Sequence, residues 1–147
     1  MQYSYNQYQG FTLLEMLVVL VIIGLLAGLV GPRLFIYVDE SKIQTAELQI
    51  KMLKNTVTSL YLHIGRYPTT EEGLTLLRTP PSDESIKPFW KGPYLDEDIP
   101  LDPWNHSYQY SSTQSQNGQP FCLYSLGADG QPGGTDSGTD LGYLPPR

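Results

Sequence analysis

A single run of apolar residues near the start of the chain limits what the protein can fold into. Phe11–Val30 contains one charged residue, Glu15, and is otherwise apolar or small. A helix over this run would span about 30 Å, which is the thickness of the hydrocarbon core of a bilayer. A cleaved secretory signal would have a basic start and a small-residue cleavage pattern after the run. Residues 1–10 contain no Lys or Arg, and Gly31-Pro32-Arg33 follows the run. The sequence therefore predicts a membrane segment that is retained.

Glu15 is the unusual residue in this segment. An unpaired carboxylate in hydrocarbon is costly, so an intramembrane acid is treated as functional and needs a partner. The partner could be a positive group on another molecule. It could equally be the N-terminal end of the same helix, where the helix dipole favours a negative charge. Spacing alone leaves both interpretations open.

Beyond Pro32 the pattern of a helix continues. Apolar residues recur at alternating steps of three and four, with charged residues between them, which is typical of a helix with one face packed on a core. We therefore expect one helix of about fifty residues that ends at 65–68, where Gly and then Pro interrupt the pattern. A short helix from Thr69 to about Arg78 should follow. The apolar stripe consists of Ile43, Ala46, Ile50, Leu53, Val57, Leu60 and Ile64.

The C-terminal half reads as short strands and turns. Strands are expected at 94–95, 108–110 and 121–124, where aromatic and apolar residues cluster between turn residues. Asn117-Gly118 is a typical turn between the last two. Residues 127–142 are rich in Gly, Asp and Thr and predict a loop. One long helix followed by a small antiparallel sheet is an α+β fold.

Composition argues against several classes of function. Of the fifteen acidic residues, eleven follow Arg66, which is unfavourable for a nucleic-acid groove. The only histidines, His63 and His106, have no Cys or acid at metal-ligand spacing, and nucleotide or nucleophile motifs are absent from the sequence. We therefore expect no enzyme. The single cysteine, Cys122, cannot form an internal disulfide and is expected to be a small core residue.

Four stretches together resemble one family. They are GFTLLEMLVVLVIIGLLAGLV (10–30), RYPTTEEGL (66–74), PYLDEDIPLDPWNHSYQY (93–110) and SLGADGQPGGTDSGTD (125–140). The first is similar to the start of type IV pilin-like proteins, and the other three, in this order, resemble the major pseudopilins of type II secretion systems. The resemblance implies a pilin-like fold whose long helix is transmembrane in its first half and packs on the sheet in its second. It also implies a leader at 1–10, a transmembrane segment at 11–31 and a periplasmic domain at 32–147.

The resemblance also implies processing and assembly. A prepilin peptidase would cut between Gly10 and Phe11 and methylate the new amine of Phe11. Glu15 would then face the N-terminal ammonium of a neighbouring copy in a homo-oligomeric filament. Such a chain would cross the bacterial inner membrane once, with its C-terminal domain in the periplasm. With minor pseudopilins and an inner-membrane assembly platform, the filament would drive folded proteins across the outer membrane.

The C-terminal loop is the second candidate site. Asp129, Asp136 and Asp140 are separated by glycines, and calcium takes six to eight oxygens from carboxylates and carbonyls. Composition alone favours mobile, solvated turns, and the spacing excludes an EF-hand. The resemblance implies instead that this loop binds calcium through these aspartates and the carbonyls of Ser125 and Leu126. Ser137 stands where the family often has a further acid.

Two other functions share some of these features. A type IV pilin for adhesion or DNA uptake has the same kind of N-terminus, but it usually ends in a disulfide loop that one cysteine cannot form. A monomeric, membrane-anchored calcium-binding domain would share the loop and the anchor. It would not need Glu15 for association.

Overall fold

The computed structural model describes residues 10–146, with the side chains of 32–36 excepted. The chain divides into two compact units, one ending at Val38 and one beginning at Asp39. The regular elements within the described residues are one α-helix, three strands and three short 3-10 helices. They are α1 (Leu13–Ile64), β1 (Gln109–Ser111), β2 (Cys122–Ser125), β3 (Leu141–Tyr143), and 3-10 helices at Gly73–Leu77, Lys87–Phe89 and Asp136–Gly138.

The first unit consists of the apolar part of α1. Leu13–Gly31 is long and apolar enough to cross a membrane, and none of this segment is buried inside the protein. The helix continues through Pro32, as the sequence pattern predicts, and its full length is 52 residues. An apolar helix surface of this size needs either lipid or other copies of the chain to cover it.

In the second unit, the remainder of α1 provides one side of the core. Ala46, Leu53, Val57 and Leu60 are completely buried, which confirms the predicted apolar stripe. The sheet and the loops provide the other side, including Phe121, which is 1% exposed. The core residues that surround them are Ile50, Ile64, Leu74, Leu76, Leu77, Tyr108 and Leu123. Cys122 is also completely buried, so the expectation of a small core residue is confirmed.

The helix ends where the sequence predicts. Gly65 has a φ of +78°, a conformation that side chains with a Cβ rarely adopt, and its N–H donates to the carbonyl of Tyr61 at 2.8 Å. This is the usual glycine termination of an α-helix.

A partly buried ion pair holds the segment after the helix. The guanidinium of Arg66 donates to both carboxylate oxygens of Glu72, at 2.6 and 2.7 Å. Glu72 also accepts from the N–H of Thr69, whose hydroxyl accepts from the N–H of Glu72, so the predicted capping pair is present. The Arg66 hydrogen bonds hold the pKa of Glu72 below its usual value. The expected helix to Arg78 is wrong in detail, because only the five-residue 3-10 helix follows this cap.

The sheet is antiparallel with the order β1-β2-β3. β1 and β2 correspond to the strands expected at 108–110 and 121–124, each shifted by one residue. The strand expected at 94–95 is absent; Tyr94 instead donates its N–H to the carbonyl of Leu77 and packs on the core from a loop. β3 was not predicted. It forms because Leu141–Tyr143 pairs with β2, although Gly142 in its centre weakens the local strand signal.

Candidate assembly and cation-binding sites

Thr12 and Glu15 form a capping box at the start of α1. The N–H of Thr12 donates to Oε2 of Glu15 at 2.8 Å, and the N–H of Glu15 donates to the Thr12 hydroxyl at 3.2 Å. These bonds satisfy backbone donors that an α-helix leaves free at its N-terminus. The structure therefore contains the contacts expected for one of the two interpretations of Glu15, a role within its own helix.

The capping box leaves much of this carboxylate available. Within residues 10–146, both hydrogen bonds to the side chain of Glu15 come from Thr12 and reach the same oxygen, Oε2. An ionised carboxylate offers about four acceptor positions. The second oxygen could therefore receive a positive group while the cap stays formed. Phe11 and Leu13, which flank Thr12, are 80% and 91% exposed.

Asp129 lies in the first half of the C-terminal loop, where glycines close around it. Its Oδ1 accepts from the N–H of Gln131 at 3.0 Å. A Cβ on Gly134 or on Gly138 would lie 3.0 or 3.1 Å from Oδ2 of Asp129. The glycines that the sequence places here thus allow the backbone to approach this carboxylate closely.

Asp140 closes the other end of the loop. Its Oδ2 accepts from the N–H of Gly133 at 2.9 Å, and its own N–H donates to the carbonyl of Gly133 at 3.1 Å. Its Oδ1 is buried and has no hydrogen-bond partner among the described residues. A buried carboxylate oxygen without a partner is costly and indicates a missing donor or cation.

The remaining predicted ligands lie along the same loop. Asp136 is exposed and has a φ of +51°, Ser125 is buried at the end of β2, and Leu126 is half-buried. Within residues 10–146, no three His, Cys, Asp or Glu side chains are placed together to hold a metal ion. The structure therefore brings Asp129 and Asp140 to the two ends of a closed loop, but it does not gather the three aspartates into one cluster.

Asp102 connects this loop to a turn outside it. Its Oδ1 accepts from the N–H groups of Trp104 and His106, at 3.1 and 2.7 Å, and these bonds hold a turn. Its Oδ2 accepts from the hydroxyl of Ser125. Pairing across such a sequence distance carries no local signal, so this contact could not be predicted from the sequence.

Comparison with known proteins identifies the family. The family model described as "Type II secretion system (T2SS), protein G" matches residues 33–143, and the prokaryotic N-terminal methylation motif matches residues 5–31. This chain belongs to the type II secretion system protein G family. The methylation motif includes Gly10, Phe11 and Glu15, the residues expected to be involved in processing and assembly.

Individual members of the protein G family are similar over most of the chain. The type II secretion system core protein G of Pseudomonas aeruginosa is 40% identical over 138 residues, covering 93% of this chain and 95% of the relative. The protein of the same name from Vibrio cholerae is 39% identical over 133 residues, covering 90% and 89%. The major pseudopilin of the type 2 secretion system of enterohaemorrhagic Escherichia coli has a crystal structure with a TM-score of 0.57 and 28% identity. That match covers 70% of this chain and 86% of the solved one. Protein G membership favours neither a type IV pilin nor a monomeric binding domain.

Proposed function

We propose that this chain is a structural subunit of a type II secretion pseudopilus. The proposal rests mainly on the match of residues 33–143 to the protein G family model. The segment before this match is an exposed helix that is long enough to cross a membrane and contains a single acid. Residues 11–31 would anchor the chain in the inner membrane, with residues 32–147 in the periplasm. Copies would then stack through their N-terminal helices into a filament that helps to drive folded proteins across the outer membrane. This role is mechanical and requires no catalytic residue.

Processing supplies the charge that Glu15 needs. Cleavage after Gly10 by a prepilin peptidase would create an ammonium group on Phe11, only four residues from Glu15, and the enzyme would methylate it. Opposite charges attract strongly where the dielectric constant is low. The free acceptor positions of Glu15 would receive the ammonium of a neighbouring copy, and exposed apolar residues would pack around the pair. These residues are Leu13, Leu14, Met16 and Leu17.

The filament role predicts close, repeated contacts between copies in the membrane. Chemical crosslinking of membranes that contain the full chain, the peptidase and the assembly platform should give a ladder of dimers, trimers and larger species. Minor pseudopilins are expected to join the same complexes. A single monomer band under conditions where the platform is functional would contradict the filament role and favour the monomeric alternative.

We also propose that the C-terminal loop binds calcium. The donors are all oxygens, as calcium prefers, and the partnerless Oδ1 of Asp140 is an atom that a cation would satisfy. Asp129 sits where glycines admit close backbone approach. The resident ion would neutralise the loop's negative charge, with Asp129, Asp136, Asp140 and the carbonyls of Ser125 and Leu126 as its ligands. Since the three aspartates are not clustered, binding should draw the loop together and stabilise the fold.

Replacing Asp129 with Asn is expected to remove this stabilisation. At a free calcium concentration about a hundred times Kd, a ligand that binds only the folded state adds about 2.7 kcal/mol. The wild-type chain in detergent micelles should therefore melt at a higher temperature in calcium than in EDTA, and Asp129→Asn should show little difference. Asp96→Asn, an exposed acid outside the loop, is the matched control and should respond like the wild type. Equal responses of Asp129→Asn and the wild type would contradict the assignment.

A further inference from the structure

Gly127 is the point at which the C-terminal loop is fixed to the rest of the domain. Its N–H donates to the hydroxyl of Ser125 at 3.0 Å, and its carbonyl is 3.1 Å from Nδ1 of His106. A carbonyl can only accept, so Nδ1 of His106 carries the proton in this contact. Side chains therefore hold both the N–H and the carbonyl of Gly127.

The backbone around Gly127 leaves no room for a side chain at this position. Gly127 has a φ of +67°, and a Cβ built on it would lie 2.8 Å from the carbonyl oxygen of Thr139. The next residue, Ala128, donates its N–H to the carbonyl of Ser137 at 2.8 Å. The start of the loop is thus packed directly on its end.

Asp102 supports the contacts that Ser125 and His106 make with Gly127. It is 4% exposed, and its two oxygens accept from two backbone N–H groups of its own turn and from the Ser125 hydroxyl. That hydroxyl, which is completely buried, in turn accepts from Gly127. The same turn carries His106, whose ring also lies 3.1 Å from the position of a Cβ on Gly130. One buried carboxylate therefore holds both contacts that fix Gly127.

We infer that Asp102 is a positioning residue for the cation site, an inference that depends on the proposed calcium function. Three of the proposed ligands, Ser125, Leu126 and Asp129, lie within two residues of Gly127. Fixing Gly127 from outside the loop holds that part of the ligand set in place before a cation arrives. Groups that orient metal ligands without touching the metal commonly change metal affinity by about ten- to a hundredfold when they are replaced.

Asp102→Asn tests the inference because it changes one contact selectively. The Asn carbonyl can still accept from the N–H groups of Trp104 and His106, so the turn is retained. The Asn NH₂ group cannot accept from Ser125, whose buried hydroxyl must then reorient. We expect calcium affinity, measured by calorimetry on the full chain in detergent micelles, to fall by about tenfold. The melting temperature in EDTA distinguishes a positioning role from a purely structural one. A purely structural role of Asp102 would lower the melting temperature in EDTA and leave the calcium Kd unchanged.

Two further variants make the outcome decisive. Asp83→Asn is the matched control, because Asp83 also accepts hydrogen bonds in a turn, from Ser85, but is exposed and distant in sequence from the loop. It should bind calcium like the wild type. His106→Ala removes the donor to the Gly127 carbonyl at a partly exposed position and should weaken binding about fivefold, which decides the matter if Asp102→Asn does not fold.

The possible failures are distinguishable. A wild-type chain that does not bind calcium would overturn the calcium proposal, and this inference with it. A wild-type chain that binds, together with Asp102→Asn and His106→Ala variants that bind within about twofold of it, would overturn only the positioning role.

Discussion

Replacing Glu15 with Gln is expected to abolish the ladder of crosslinked copies while the fold is retained. Gln can keep the capping box with Thr12, because its side-chain oxygen accepts the same N–H, but it carries no charge. The substitution therefore removes only the attraction for the ammonium of a neighbouring copy. Removing one partner of a buried ion pair costs about 3–5 kcal/mol, which lowers an association constant more than about a hundredfold at each contact.

Two companion variants separate the roles of Glu15. Glu15→Ala loses both the cap and the charge, so it should also fail to form the ladder. Glu40→Gln, at an exposed position of the same helix, should assemble like the wild type. If Glu15→Gln formed a normal ladder and only Glu15→Ala failed, the side chain would act as a helix cap and the intersubunit pairing would be wrong.

Replacing Leu53 with Ala is expected to lower the free energy of unfolding by about 3 kcal/mol. Leu53 is completely buried between α1 and the sheet side of the core, so truncation removes apolar contacts and leaves a cavity. Such a loss is a large fraction of the 5–15 kcal/mol that stabilises a typical domain. Urea denaturation of the full chain in detergent micelles, followed through the fluorescence of Trp90 and Trp104, would measure it.

Leu48 provides the matched control for this substitution. It lies on the same helix, five residues earlier, and is 68% exposed. Leu48→Ala should therefore change the free energy of unfolding by no more than about 0.5 kcal/mol. Similar losses in the two variants would mean that the helix face packed on the core has been assigned incorrectly.

The helix could be predicted from the sequence because its signals are local and repeated. The apolar run, the stripe that contains Leu53, and the glycine at Gly65 each depend on residues a few positions apart. The same holds for the pair of Thr69 and Glu72, although that cap led to an expected helix as far as about Arg78, where the chain forms only a five-residue 3-10 helix. After the cap, Gly73 has a φ of +53°, which interrupts α-helical geometry.

The features that could not be predicted depend on distant partners. β3 has only three residues, and Gly142 in its centre has a φ of +124° where a Cβ would lie 2.5 Å from the carbonyl oxygen of Leu123. Gly142 is part of a strand only because β3 pairs with β2. Tyr94 is of a residue type that is common in strands, but it follows a proline, which cannot donate a hydrogen bond to a neighbouring strand. It lies in a loop and packs against the core. The contact of Asp102 with Ser125 is similarly non-local.

Filament assembly as proposed depends on an amine that exists only after the leader has been removed. The most direct test is the intact mass of the subunits in assembled complexes, measured by mass spectrometry after these complexes have been purified from the membrane fraction. We expect the mass of residues 11–147 with one added methyl group. Filaments built from subunits that keep residues 1–10 would show that Phe11 offers no free amine to Glu15, and the proposed basis of assembly would be wrong.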